Sequence, residues 1–158
     1  MTPPQITFRI ADGSDVPALA QLFKETVLAI APQKYSPEQT EAWAAFAAAG
    51  DPFHRFIVEA TTYVAEDDTG IAGFAGIAPD GHVTATYVRR DRIRQGIGSQ
   101  LMHHIFEYAK KHHIQRLYSE ASEFSLGLFK KFGFQQYDTE VVERHGVTFT
   151  RYLMEYYL

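Results

Sequence analysis

Two short turn signals, Asp67-Asp68-Thr69-Gly70 and Pro79-Asp80-Gly81, restrict the fold of this chain more than any other feature. They divide the middle of the sequence into three β-prone runs, Thr62–Glu66, Ile71–Ala78 and Val83–Val88. Strands joined by so few residues pair antiparallel, because a parallel crossover takes about a dozen residues or more. The centre of the chain is therefore predicted to be a meander.

The flanks supply helices. Thr7–Ala11 reads as a short strand. Ser14 caps a predicted helix to Ile30, in which Leu19, Leu22, Phe23, Val27 and Ile30 fall at helical spacing. Ser36-Pro37-Glu38-Gln39 has the capping-box order and opens a second helix that stops near Gly50-Asp51-Pro52. After the meander come a helix over Gly98–His112, a strand over Leu117–Ala121 and a short helix over Ser125–Phe132 that stops at Gly133. A hairpin closes the chain, Gln136–Glu143 and Val147–Tyr156 about His145-Gly146. The order βααβββαβαββ predicts an α+β fold, with a central mixed, mostly antiparallel sheet and helices on both faces.

The 158 residues fit one domain spanning 1–158, and 46% apolar content supplies a core for it. A net charge of -4 argues against a nucleic-acid partner; the basic runs Arg89–Arg94 and Lys110–His113 merely flank one helix. The absence of cysteine excludes disulfides, thiolate metal ligands and acyl-cysteine intermediates, and fits a cytoplasmic protein. Met1-Thr2-Pro3-Pro4 carries no leader pattern, and no apolar run reaches about 18 residues, so neither secretion nor a membrane span is expected. His103, His104, His112 and His113 read as solvated helix surface, not as metal ligands, since adjacent positions point to different faces.

Chemistry concentrates in Val88–Leu101, VRRDRIRQGIGSQL. A strand ends, a cationic loop follows, and two glycines precede a helix. Glycine allows close backbone approach, and the helix start offers unpaired N–H groups and partial positive charge. Arg89, Arg90, Arg92 and Arg94 add to the field, which suits a phosphate or pyrophosphate. No Gly-Lys-Ser/Thr follows, which removes a Walker loop. Leu101 stands where a dinucleotide fingerprint needs its third glycine.

These residues resemble the GNAT superfamily of N-acetyltransferases. Gly96 and Gly98 match the glycines of its Arg/Gln-x-x-Gly-x-Gly/Ala cofactor turn. Leu128-Phe129-Lys130-Lys131-Phe132-Gly133-Phe134 matches a second family mark. Tyr35–Gln39 with Ala42-Trp43-Ala44, Ala121-Ser122 and the Gly146 hairpin are similar to the YafP-like branch. The sequence departs from the family pattern in three places. Ile93 opens the turn in place of Arg or Gln, Phe129 stands where many members carry a general-acid Tyr, and the chain has no Asn.

The resemblance implies an acetyl-CoA-dependent N-acetyltransferase. It would transfer acetyl to a small-molecule or peptide amine by direct attack in a ternary complex. It also implies a cofactor site of Tyr87, Val88, Ile93, Arg94, Gln95, Gly96, Ile97, Gly98, Ser99, Ser125 and Phe129, with a backbone N–H near Tyr87-Val88 facing the developing oxyanion. Glu120 is the leading base candidate, with Glu25 a second; Ser122, Tyr118 and Tyr87 are the acid candidates. Tyr35, Trp43 and Glu25 are expected at the acceptor, with Phe46 and His54 nearby. Tyr152, Tyr156 and Tyr157 offer an edge for a homodimer. The alternative is a GNAT-fold sensor or assembly module that binds acyl-CoA without efficient transfer, which Phe129 keeps open.

Overall fold

The computed structural model describes residues 5–158. The leader reading of Met1–Pro4 concerns residues outside that range. Strand β1 (Thr7–Ile10) and a 3-10 turn lead into α1 (Val16–Ile30). The cap lies two residues earlier than expected. Asp12, not Ser14, accepts the Ser14 N–H at 2.8 Å, and Asp15 answers by accepting the Asp12 N–H at 2.9 Å.

Helix α2 (Pro37–Ala44) starts with the expected box: Ser36 Oγ accepts from Gln39 N at 3.1 Å, and Gln39 Oε1 accepts from Ser36 N at 2.9 Å. A further helix follows where an end was expected. Gly50 takes φ 76°, Pro52 sits in the first turn where no N–H is needed, and α3 (Asp51–Val58) buries Phe53 and Ile57.

Strands β2 (Thr61–Asp67), β3 (Gly70–Ile77) and β4 (Val83–Val88) form the meander, and β1 pairs on its outer edge, giving the order β1-β2-β3-β4. Helix α4 (Ile97–Lys111), β5 (Arg116–Ala121), α5 (Leu126–Lys131), β6 (Gln135–Arg144) and β7 (Val147–Tyr157) complete the chain. The last three strands make a second antiparallel sheet, β5-β7-β6. One parallel bridge, His82 to Tyr118, joins the two.

The first sheet is buried on both faces, so β3 reads as a continuous apolar run rather than an alternating one. On one face α4 packs Ile97, Leu101, Met102 and Ile105 against Ala75, Ile77 and Val83. Each of those large side chains contributes roughly 1.5–3 kcal/mol by leaving water. On the other face α1 and α3 bring Leu19, Phe23, Val27, Phe53 and Ile57 onto Val64, Phe74 and Ala85. Val83 and Ala85 are two residues apart yet face opposite cores, because the pairing with β3 slips there and leaves Thr84 as a bulge. Among the described residues no helix is long and apolar enough to cross a membrane.

Candidate functional site

The basic turn after β4 is built from the backbone. Arg94 and Gly96 both take positive φ, 64° and 79°. Gly96 then precedes α4, whose start carries no side-chain cap. The first N–H groups of α4 are thus left for a ligand. A side chain built at Gly96 meets no atom within 4 Å, while one at Gly98 would lie 3.7 Å from both Val88 and Leu128. The turn is an open cradle with an apolar floor, which fits a pyrophosphate. Gly73 sets its height: a Cβ there would come 2.8 Å from the Tyr87 carbonyl and 3.3 Å from Ile97.

The arginines divide into two pairs. Arg92 reaches back to Asp67 at 2.7 Å, and the Asp67 side chain is 0% exposed. Arg89 bonds Asp91 at 2.6 Å and Thr69 at 3.1 Å, and Arg92 also meets Thr69 at 3.2 Å. These two clamp the basic turn to the β2–β3 turn. The Thr69 hydroxyl and N–H, ahead of the two arginine charges, hold the Asp67 carboxyl below its usual range. Arg90 and Arg94 are exposed and carry no ion pair among the described residues. Lys131 of α5 donates to Ser99 at 2.9 Å, which brings a further cation to the start of α4.

Between β4 and β5 the fold opens. At the closed end Tyr118 N donates to Gly81 O at 3.1 Å and Ser119 Oγ to Val83 O at 2.8 Å. Beyond that point β4 pairs with β3 alone and β5 with β7 alone. Arg89 N donates to Ala72 O at 2.7 Å. Antiparallel alternation then turns the Tyr87 N–H to β3 and the Thr86 and Val88 N–H groups into the opening. Of the two residues expected near the donor position, only Val88 turns its N–H into the opening, with Thr86; the Tyr87 N–H is spent on β3.

The Tyr87 ring faces α1. It packs on Phe23 at 4.8 Å and Phe74 at 5.3 Å, and burial pushes its phenol up to about 12. Trp43 lies 6.4 Å from it and stacks on Phe124 at 6.0 Å. Tyr35 meets Trp43, Phe124 and Phe149 at 5.3–5.7 Å, and burial raises its phenol too. Tyr35 and Trp43 are thus brought together, along with Phe124 and Phe149, which the sequence did not mark. Phe46 packs in the α1 core against Phe23 and Phe53, and His54 lies beside Gly13.

Glu120 and Tyr118 share the same outward side of β5, alternating with buried Leu117, Ser119 and Ala121. Glu120 Oε1 lies 2.9 Å from His82 Nε2. Burial alone would raise the Glu120 carboxyl, but the His82 contact and the Arg151 charge outweigh it and hold it below the usual range. Tyr118 donates to Asp80, and burial with that carboxylate pushes its phenol up to about 12. Ser122 Oγ accepts the N–H groups of Phe124 and Ser125 at 3.1 and 3.2 Å, while Ser125 Oγ accepts from Ser122 N at 3.0 Å. Both serines cap the turn into α5.

Phe129 is 2% exposed and packs on Phe134 in the α4-side core. Glu25 stands apart from the β5 cluster, in a cleft of about 510 Å³ with Thr26, Ala29, Arg89, Arg90 and Asp91. His103, His104 and His112 each pack on an aromatic ring of the fold. Of the tyrosines expected at a dimer edge, Tyr152 and Tyr156 pack against the core and Tyr157 is 67% exposed.

The family model for the acetyltransferase (GNAT) domain matches residues 31–156. The chain belongs to the GNAT acetyltransferase family. Its fold is similar to a GCN5-related N-acetyltransferase from Rhodopseudomonas palustris, with TM-score 0.91 and 25% identity over 100% of this chain and 98% of that one. The PaiA N-acetyltransferase from Thermoplasma acidophilum, solved with coenzyme A, aligns with TM-score 0.80 and 19% identity, covering 98% and 99% of the two chains. YncA from Salmonella typhimurium, solved with its cofactor acetyl-CoA, aligns with TM-score 0.65 and 18% identity over 97% and 94%. No curated protein matches significantly. Within this GNAT frame, His82, Asp67 and Lys131 escape sequence reasoning. Asp67 stands in one turn signal, His82 follows the other and Lys131 lies within the Leu128–Phe134 mark, but none of these local patterns shows the partner across the fold.

Proposed function

We propose that this GNAT chain is an acetyl-CoA-dependent N-acetyltransferase of the YafP-like branch, one domain over residues 1–158, acting on a primary amine without a covalent enzyme intermediate. The unpaired edge of β4, running straight into the open Gly96 turn, carries this reading. Bound acetyl-CoA would supply the activated acetyl group and a thiolate leaving group. The N–H groups over Gly96, Ile97, Gly98 and Ser99 would hold its pyrophosphate, with Arg94 and Lys131 adding charge. Ile93 and Gln95 would flank it on the exposed rim. Val88 N–H, with Thr86 N–H, would face the developing oxyanion.

On the α1 side, Tyr35 and Trp43 would wall the acceptor and Glu25 would meet it at the mouth. Glu120 would draw the ammonium towards the opening. Ser122 or Tyr118 would return a proton to the thiolate; Ser122 is the better placed, since Tyr118 already donates to Asp80. That engaged tyrosine, with the core packing of Phe129, is also what favours the second reading, a sensor that binds acyl-CoA and transfers poorly.

CoA thiol release from acetyl-CoA, measured over amino acids, polyamines, aminoglycosides and peptides, separates the two. Transfer to at least one amine is expected, and Gly96→Glu is expected to abolish acetyl-CoA binding. Tight binding with no transfer favours the sensor. A folded Gly96→Glu variant that binds normally moves the pyrophosphate elsewhere.

A further inference from the structure

One imidazole on the acceptor side has no task in that scheme. His82 lies where the turn after β3 enters β4; two contacts hold its ring, and two more tie its backbone and its stacking partner to Asp80. Nε2 is 2.9 Å from Glu120 Oε1. The ring stacks on Tyr118 at 4.8 Å and 10° between planes. Asp80 accepts both the Tyr118 hydroxyl and, at 3.1 Å, the His82 backbone N–H. The His82 and Glu120 side chains are 30% and 24% exposed, so the pair is covered yet reachable. The Thr84 bulge turns His82 to the side of Tyr87, away from α4.

Glu120 is ionised and only accepts, so Nε2 carries the hydrogen between them and Nδ1 keeps a lone pair. No hydrogen bond engages Nδ1 among the described residues. A carboxylate held below its usual range is a weak proton acceptor near neutrality. An imidazole oriented by that carboxylate is a good one. Tyr118 and Glu120 of β5 and Asp80 of the turn face the ring. Arg151 of β7 acts on Glu120, and Arg116 lies 5.0 Å over the Tyr118 ring.

We propose that His82 accepts the proton of the acceptor ammonium and that Glu120 is its positioning residue; this rests on the N-acetyltransferase reading above. The strand rise sets His82 roughly 13 Å along β4 from Thr86, an interval that the amine and a bridging water would span. The ammonium N–H bond breaks and its proton passes to Nδ1, giving an imidazolium beside the Glu120 carboxylate. The freed lone pair forms the C–N bond as the C–S bond breaks, and the electron pair leaves on sulfur. The second amine proton, shed as the amide forms, goes to the thiolate.

The test compares the full chain with His82→Gln and Glu120→Gln, by acetyl-CoA calorimetry and by kcat/KM against pH on the best amine of the panel. The parent is expected to lose activity on an acid limb, where protonation removes the accepting lone pair on Nδ1. His82→Gln is expected to bind acetyl-CoA within about twofold of the parent, lose the limb and fall about 10²–10⁴-fold in kcat. Glu120→Gln, which deprives the imidazolium of its anion, is expected to move the limb to lower pH. His82→Gln with parental kcat, or a limb unmoved in Glu120→Gln, overturns the proposal. A parent that binds acetyl-CoA but acetylates no amine overturns it too. A parent that fails to bind acetyl-CoA defeats the underlying reading, a separate result. Should His82→Gln unfold, the limb of Glu120→Gln decides alone.

Discussion

Gly81 and Gly96 both hold positive φ, 98° and 79°, for different physical reasons. A Cβ at Gly81 would lie 2.1 Å from the Arg116 carbonyl oxygen, so the missing side chain is what lets the turn close on β5. Gly96 faces open space. Gly81→Ala is therefore expected to lose about 3 kcal/mol or more in urea unfolding, from backbone strain plus overpacking. Gly96→Ala is expected to lose only about 1–2 kcal/mol, from the left-handed backbone. A Gly81→Ala protein as stable as its parent would show that the seam does not depend on that contact. The sequence makes Gly96 legible because its neighbours, Gly98 and the arginines, stand beside it. It shows Gly81 only as a turn, since its partner at 116 is 35 positions away. His82 with Glu120 and Asp67 with Arg92 are hidden for the same reason: a pairing across the fold leaves no local periodicity.

Two turns act as one unit at the scale of elements. The β2–β3 turn, through Asp67 and Thr69, grips Arg92 and Arg89 of the basic turn, so the proposed phosphate cradle is held from behind. Asp67→Asn is expected to cost about 3 kcal/mol or more, because Arg92 loses its buried counter-charge. It should also raise the Kd for acetyl-CoA while leaving kcat within about twofold, as fits a residue that positions backbone N–H groups. The pH dependence has a definite sign. A depressed carboxyl contributes stability above its unfolded value of about 3.9 and loses it as pH falls through the lower folded value. Denaturant midpoints measured from pH 7 down to 2 should fall more steeply for the parent than for Asp67→Asn. Parallel acid limbs would mean that the clamp carries little. Elsewhere the elements follow the local signals closely, from the Ser36 box to the final hairpin. Helix α3 is the exception, because Asp51-Pro52 stops a helix or starts one equally well, and burial of Phe53 and Ile57 decides for a start.

The molecule as a whole is two sheets hinged at one seam, and its two faces hold that hinge very differently. On the α4 side a single core runs through both sheets, joining Ile97, Leu101 and Ile105 to Leu117, Ala121, Phe134 and Met154. On the α1 side the core stops at the first sheet, and α2 with its entry loop reaches across through Tyr35 on Phe124 and Phe149, Trp43 on Phe124, and Gln39 donating to Thr148 O at 3.0 Å. Stability and acceptor binding should therefore separate by face. Leu101→Ala, which empties a site 1% exposed, is expected to cost about 2–5 kcal/mol and to lower kcat/KM only in proportion to the folded fraction. Phe149→Ala sits at the thin aromatic bridge. It should cost less stability and raise the acceptor KM several-fold while the acetyl-CoA Kd stays constant. Urea unfolding and steady-state kinetics on the same two variants check both halves. If Phe149→Ala weakens acetyl-CoA and acceptor equally, the aromatic bridge is a support for the whole opening and not a wall of the acceptor side.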